Sequence, residues 1–533
     1  MFTHHTRHGV LSLVTFIALA VVQTWPLASA PAHWSRVDNA DASLNIWAVN
    51  WVGAHLLQAP WALFDANIFH PEKLTLAYSE VMIVQGAIVA PIVMLGGSPV
   101  LAFNVALLVG LALTGWAFCL LVRRWTGSWA AGYVAGSVAA FTPQVLVRLG
   151  HLQIMHAEFF PLMLFALDRL IVARRFRDAV WLGLGFALQG LTSLYLLVFS
   201  VWMLLFAFAA RVTEWVRGSA GIIARLAAAA LIGMVLLAPC LWAYQQLRAG
   251  SGLARGAEEQ IAGSWTDYLA TGARIHRWWI PADATRSIAS AFPGVAVIVL
   301  TVFAFTRRDV RADARFRMCA IAAAGCIAVS IAPRLPFYPA LHEAIPLFQA
   351  VRVPARMSQV VLLLVAVLAG FGVAAARRRW PLASTWPIAT ALVLIVNLEI
   401  LRAPVGYVRF DGVPPIYDTL AADPNAVVVE VPFPIPQQWF LNGPYMVYST
   451  RHWRPMLNGY SGFRPGSYDR SYEAARSFPS DESLIKLHDL GVTHVIVHRQ
   501  ALGEQRVAAI GRTQSLQEVA SEGDIAIYRF RAP

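Results

Sequence analysis

Charge is scarce in this chain of 533 residues: only 14% are charged, where a soluble protein of that length carries about a quarter. Lysine is nearly missing, with Lys73 and Lys486 alone among 42 basic residues. Only four cysteines occur, Cys119, Cys240, Cys319 and Cys326. All four fall within apolar runs and show neither metal-ligand spacing nor a disulfide framework. No P-loop and no dinucleotide fingerprint is present. These gaps exclude an ordinary soluble fold, a disulfide-stapled secreted domain and a nucleotide-binding enzyme.

What remains is apolar. Hydrophobic residues make up 58% of the chain, and stretches of roughly 17 to 22 of them recur along the first three quarters, the length that crosses a hydrocarbon core. The net charge of +12 does not mark a nucleic-acid binder, because no basic cluster is interleaved with aromatics on a polar platform. The arginines gather between apolar runs instead: Arg123 and Arg124; Arg174, Arg175 and Arg177; Arg307, Arg308, Arg311, Arg315 and Arg317; Arg377 to Arg379. That is the pattern of short cytoplasmic loops under the positive-inside rule.

With the N-terminus cytoplasmic, eleven crossings place every one of these clusters inside. The expected segments are 10–27, 100–122, 128–143, 155–172, 179–192, 194–210, 226–246, 291–306, 316–332, 357–376 and 385–401. The apolar stretch 81–96, which ends in "GGSP" without flanking charge, is then expected to lie along the outer surface. The long run 178–212 is read as a hairpin turning in "QGLTSLY", with Arg177 and Arg211 at its ends. "PLASAPA", Pro26 to Ala32, follows a basic start and an apolar stretch, so a cleaved signal peptide competes with a retained anchor.

The expected division is a membrane domain, 1–401, with a long first outer loop at 28–99 and further outer loops at 248–290 and 333–356. A soluble α/β domain then follows at 402–533. The tail carries 13 basic and 13 acidic residues. "AVVVEVPF", "VTHVIVH" and "DIAIYRF" read as short strands, and "SDESLIKLHDLG" as a capped helix stopping at Gly491. The tail is expected outside and able to fold by itself.

A site on the outer face has no nucleotide donors within reach, so an activated group must come from the membrane, as a lipid-linked phosphate ester. The order of helix, acidic first outer loop, more helices and outer C-terminal domain resembles the GT-C superfamily of membrane glycosyltransferases. "NADASLNIWAVNW", "LFDANIFHPEKLTLAYSE", "GHLQ", "VRVPARM" and "HWRPMLNGYSGF" resemble bacterial members, largely uncharacterised. The resemblance spans nearly the whole chain. It implies a bacterial cytoplasmic (inner) membrane enzyme, a hexosyl or pentosyl transferase with its C-terminal domain periplasmic or extracellular. The implied donor is a polyprenyl-phosphate sugar, the acceptor a glycan, lipid or protein, and the outcome inversion. A first-loop aspartate is implied as base, best matched by Asp41 with Asp38 beside it. Some members need Mg or Mn, but no second acidic pair here demands a divalent cation, and no metal ligand is assigned.

The residues themselves support part of this. Inverting transfer needs a base for the acceptor hydroxyl and positive charge near the leaving phosphate. Arg352 and Arg356, four apart before a crossing, would share a helix face and suit bidentate phosphate contacts; Arg148, His151 and His156 are further candidates. Trp47 and Trp51 can stack on a sugar and Asn45 can bond its hydroxyls, while Glu158 is an acidic residue at a helix entrance. Each has a structural reading beside it. Asp38 can cap a helix with Asp41 in its first turn, the arginines can anchor in headgroups, and the tryptophans can form an interfacial belt. Two further functions stay open: a lipid-carrier flippase or transporter, and a scaffold for envelope assembly. Against the first stand the missing internal repeat and the few ionisable residues within crossings.

Overall fold

In the computed structural model, residues 2–216, 218–251, 257–280, 290–380 and 386–531 are described. Of the expected outer loop 248–290, residues 252–256 and 281–289 therefore lie outside the described residues. By internal contacts the chain divides into two compact units. One comprises Met1–Ser29, Ala106–Pro239 and Ala254–Gly406; the other comprises Ala30–Val105, Cys240–Leu253 and Tyr407–Pro533.

Each stretch expected to cross is occupied by a helix: Phe2–Gln23, Pro99–Thr126, Trp129–Ala140, Phe159–Ala173, Phe176–Thr192, Leu194–Ala209, Ser219–Ser251, Val295–Thr306, Ala314–Ile331, Ser358–Arg379 and Trp386–Glu399. Among the described residues, five stretches are long and apolar enough to cross a membrane: Pro99–Thr126, Trp129–Val147, Ser219–Ala249, Ala314–Arg334 and Pro354–Arg379. Others are short. Val295–Thr306 has 12 residues, which at about 1.5 Å per residue falls well below a hydrocarbon core of about 30 Å.

In the first unit, helix Ser358–Arg379 is buried along nearly its whole length. It packs against Trp129–Ala140, Val295–Thr306 and Ala314–Ile331. Apolar surface offers helices no reason to associate in lipid, so close backbone approach through small residues has to supply it. Gly372 provides one such approach, since a Cβ there would stand 2.1 Å from the Leu300 carbonyl oxygen. The run 178–212 is broken inside "QGLTSLY". Ser193 is extended at φ −162°, and its hydroxyl accepts from Leu196 N at 3.1 Å to start the next helix. Arg211 at the end of that run is not a headgroup anchor. Its guanidinium is buried and donates to Asp168 at 2.8 Å and Glu214 at 2.6 Å. The four cysteines are buried and unpaired.

The second unit gathers the first-loop segment and the tail, whereas the expected boundary put that loop with the membrane helices. Helix Ala40–His55 is buried from Ala42 to Gly53 and packs against helices Ile83–Met94 and Gly443–Ser449. Strands β1 (Trp34–Ser35) and β2 (Val408–Arg409) pair antiparallel. A four-stranded sheet follows from β3 (Val428–Val431), β4 (His494–His498), β5 (Leu516–Glu522) and β6 (Ile525–Phe530), in the order β3-β4-β6-β5. The pair β3 and β4 is parallel and the others are antiparallel. Beyond β3 the main chain continues the pairing: Leu457 N donates to Val428 O at 3.0 Å, Met456 N to Asn67 O at 2.8 Å, and His70 N to Met456 O at 2.9 Å. The first-loop segment around Asn67 thus bonds directly to the tail's "PMLNG" turn, and the reason is backbone satisfaction of two buried irregular segments. Helix Asp481–Asp489 has Ser480 as its cap and Gly491 past its end at φ 80°.

Candidate active site

In the second unit the acidic stretch is built around a helix start. The cap is Asn39, not Asp38: its side chain accepts from Ala42 N at 3.1 Å. Asp38 is exposed and pairs with Arg36 at 3.2 Å, so it faces solvent and a cation instead of its acidic neighbour. Asp41 lies in the first turn, half-buried, where the positive end of the helix favours a carboxylate. The Tyr460 hydroxyl donates to Asp41 Oδ1 at 2.7 Å. Burial, and then the Asp41 charge, push the Tyr460 phenol above its ordinary range, so it stays a donor.

The neighbouring sugar-binding candidates sit differently from expectation. Trp47 is 1% exposed and donates from Nε1 to Asn67 Oδ1 at 3.0 Å. Trp51 donates from Nε1 to Leu63 O at 2.8 Å and meets His55 at 3.7 Å and Trp453 at 5.3 Å between ring centroids. Both tryptophans are core residues that fasten the first-loop helix, so neither offers a face to a sugar. Asn45 is buried and its amide donates to Asp41 O at 2.6 Å, one turn back on its own helix. Asn67, unremarked in the sequence, does more: beyond the Trp47 bond, its amide donates to Ser449 Oγ at 3.1 Å and Arg454 O at 3.2 Å. Of the other first-loop carboxylates, Asp65 holds Leu74 N at 2.9 Å, where the chain turns at φ 57°.

In the first unit the arginine pair does not share a helix face. Arg352 is exposed in a loop, and its carbonyl accepts from Ile261 N at 3.0 Å. Pro354 begins a 3₁₀ turn, Pro354–Met357, that carries Arg356. The reason is local: proline fits the first position of a helix and disfavours helix before it. The Arg356 guanidinium lies over the Tyr195 ring at 5.4 Å, while the Tyr195 hydroxyl accepts from Val353 N at 2.6 Å. Arg356 Nε is buried and, among the described residues, has no hydrogen-bond partner. Two residues on, Ser358 Oγ donates to Gln144 Oε1 at 3.2 Å. Gln144 is fully buried, and its Nε2 likewise lacks a partner among the described residues. Gln359 Nε2 donates to Ile154 O at 2.8 Å, drawing the "GHLQ" segment to the same helix start. Arg148, buried, precedes that segment, and His151, half-buried, lies within it.

His156 and Glu158 form a closed network. His156 is 0% exposed, with Nδ1 at 2.9 Å from Glu158 Oε1 and Nε2 at 3.0 Å from Ala106 O. Both ring nitrogens thus meet oxygens. Thr114 Oγ1 accepts from Ala157 N at 2.9 Å and reaches Glu158 at 3.4 Å, and Gln189 Nε2 donates to His156 O at 3.1 Å. A Cβ on Gly110 would lie 2.5 Å from the imidazole. These groups lock one loop onto two helices, with His156 and Glu158 both buried and bonded to each other where a sugar-binding role was expected of them.

Among the described residues no group of three or more His, Cys, Asp or Glu side chains could hold a metal ion. Of the two carboxylates in the acidic stretch, Asp38 pairs with Arg36 and Asp41 accepts from Tyr460.

No family model matches the chain, and no curated protein matches it. Solved structures do. The chain is similar to the arabinofuranosyltransferase AftD from Mycobacteria at 17% identity and a TM-score of 0.58, over 99% of this chain and 40% of that one. It therefore spans about two fifths of AftD. It is also similar to ArnT from Cupriavidus metallidurans bound to undecaprenyl phosphate, at 15% identity and a TM-score of 0.51, over 97% of both chains. The same enzyme in the apo state matches at 12% identity and 0.51, over 98% of both chains. The chain thus shares the fold of these AftD and ArnT structures, in keeping with the resemblance to the GT-C superfamily carried by the sequence motifs.

Proposed function

With a GT-C fold in place, we propose that this chain is a membrane glycosyltransferase. It moves a sugar from a polyprenyl-phosphate-linked donor to an acceptor on the outer face of a bacterial cytoplasmic membrane, with inversion. Asp41 is the general base: its carboxylate takes the proton of the acceptor hydroxyl as that oxygen attacks the anomeric carbon. The bond from that carbon to the phosphate oxygen breaks, and polyprenyl phosphate leaves with the electron pair. Phosphate is a good leaving group, so the residues near it have to stabilise charge more than donate a proton. The observation that carries this reading is a half-buried carboxylate in the first turn of a helix, oriented by a phenol. The crystal structure of ArnT with undecaprenyl phosphate supports a lipid-phosphate partner for this fold. In this reading the apolar helices cross the membrane repeatedly, the arginine clusters face the cytoplasm, and the C-terminal sheet lies outside.

Arg356 is the candidate for the donor phosphate, with Gln144 Nε2 as a second donor close to its helix start; Arg352, Arg148 and His151 are supporting candidates. Arg356→Ala should weaken binding of undecaprenyl phosphate by about 1.5–3 kcal/mol, the contribution of a charge-assisted bond, or roughly ten- to a hundredfold in Kd. Arg356→Lys should recover part of this, since lysine keeps the charge and loses the planar fork. Titration of the purified protein in nanodiscs with undecaprenyl phosphate measures both. An unchanged affinity in Arg356→Ala, with the fold intact, would reduce Arg356 to a membrane anchor over Tyr195.

A further inference from the structure

We propose that Tyr460 is a positioning residue for the transfer reaction, holding the Asp41 carboxylate in the orientation in which it receives the acceptor's proton. This rests on the reading of Asp41 as base. It adds a residue from the far end of the chain whose role no motif assigned, and it makes the tail a working part of the reaction.

The bond itself is of the strong kind. A hydroxyl donating to a carboxylate at 2.7 Å is charge-assisted and directional. An aspartate in the first turn of a helix is free to rotate about two torsions, and a base is effective only when its acceptor oxygen meets the substrate proton at hydrogen-bond distance. One fixed donor on Oδ1 removes most of that freedom. Burial and the Asp41 charge keep the phenol protonated, so Tyr460 supplies a bond and no second base.

Tyr460 is in turn fixed from several sides. Its ring meets Trp439 edge-on, with centroids 5.1 Å apart at 74°, and its backbone N–H points at Met446 Sδ at 3.2 Å. Before it, Gly459 passes so close to Phe69 that a Cβ would lie 2.6 Å from the ring. Only glycine fits this approach without moving the aromatic. Before that, Asn458 grips β3 twice: its Oδ1 accepts from Glu430 N at 2.8 Å, and its Nδ2 donates to Glu430 O at 3.1 Å. The Asn458 carbonyl meanwhile accepts from Phe69 N at 3.2 Å. The three consecutive residues Asn458, Gly459 and Tyr460 are thus clamped between the tail's sheet and the first-loop segment. A clamp of this precision, ending in one hydroxyl on one carboxylate, is the arrangement that keeps a catalytic group within a fraction of an ångström of its working place.

A merely structural tyrosine would stitch the helix start to the tail and nothing more. A double-mutant cycle separates the two roles. The full chain is purified into nanodiscs and supplied with a panel of synthetic undecaprenyl-phosphate pentoses and hexoses, with envelope extract providing acceptor. Release of undecaprenyl phosphate is followed. Tyr460→Phe should lower kcat roughly ten- to a hundredfold while leaving donor KM and melting near wild type. In the Asp41→Asn background the same change should cost nothing further. Incorporation of 3-fluorotyrosine at 460, which keeps the ring and its O–H, should restore most of the rate and shows that packing is not the cause. Equal losses from Tyr460→Phe in both backgrounds, with Asp41→Asn itself severely impaired, would overturn the role of Tyr460 alone. Full activity in Asp41→Asn would overturn the base and this inference with it.

Discussion

Asp41→Asn should abolish nearly all sugar transfer while leaving the protein folded. Asparagine keeps the shape of the side chain and can still accept the Tyr460 hydroxyl through its carbonyl oxygen, so the contact at 2.7 Å need not be lost. What it cannot do is take a proton. A general base contributes about 10²–10⁴-fold, and turnover should fall by that order with melting unchanged. Asp38→Asn is the internal control: Asp38 is exposed and paired with Arg36, so its loss should alter turnover only a fewfold. Measuring both variants at saturating donor checks the claim. Equal effects at the two positions would mean that charge in the loop, and not a base, matters.

The second large effect concerns stability. Glu430 is fully buried on β3, accepts from the Tyr417 hydroxyl at 2.9 and 3.2 Å, and meets His498 Nε2 at 2.6 Å. Glu430→Leu leaves an imidazole and a phenol buried without their acceptor. Breaking one partner out of a buried charge pair typically costs about 3–5 kcal/mol, a large share of the stability of any domain. Thermal or denaturant unfolding of the second unit should show it.

The same pair carries a pH dependence. Burial alone would lower the His498 value, but the Glu430 hydrogen bond and charge, with the Asp524 charge, outweigh it and raise it above the ordinary 6.5. A histidine raised in the folded state contributes stability fully below the unfolded value. That contribution is lost as pH climbs from about 6.5 through the raised folded value. His452 and His494 pull the other way, held low mainly by burial, His452 to about 3. The comparison is therefore wild type against Glu430→Gln. The wild type should lose its excess stability over the variant as pH rises through that window. A constant difference across the window would show that His498 stays neutral.

The sequence made much of the scaffold legible, and particular residues show where it stopped. Apolar runs bounded by arginine marked every main helix of the first unit, because burial in lipid and in the bundle demands unbroken apolar length. Alternating β-branched residues marked β3, β4 and β6. The strand β5 was missed, since "LQEVASE" is an exposed edge with mostly polar side chains, and such edges lack the alternation that signals a strand. Pro354 was the visible clue that Arg352 and Arg356 could not share a helical turn. Trp47 and Trp51 look alike whether they face a sugar, a headgroup or a core. Only their bonds to Asn67 and Leu63 decide for the core. The joining of Asn67 to Ser449 and Arg454 spans more than 380 residues. Long-range hydrogen bonds of this kind leave no periodic trace, so neither the shared unit of loop and tail nor the meeting of Tyr460 with Asp41 was readable from the chain alone.

The most direct measurement follows the sugar. Purified protein in nanodiscs is given undecaprenyl-phosphate donors labelled in the sugar, together with envelope extract, and the label is traced. The expected result is label moving from lipid to acceptor with stoichiometric release of undecaprenyl phosphate, and its loss in Asp41→Asn. Label that stays on the lipid with every donor, whether or not the lipid changes leaflet, would contradict a glycosyltransferase and favour a carrier of lipid-linked sugars.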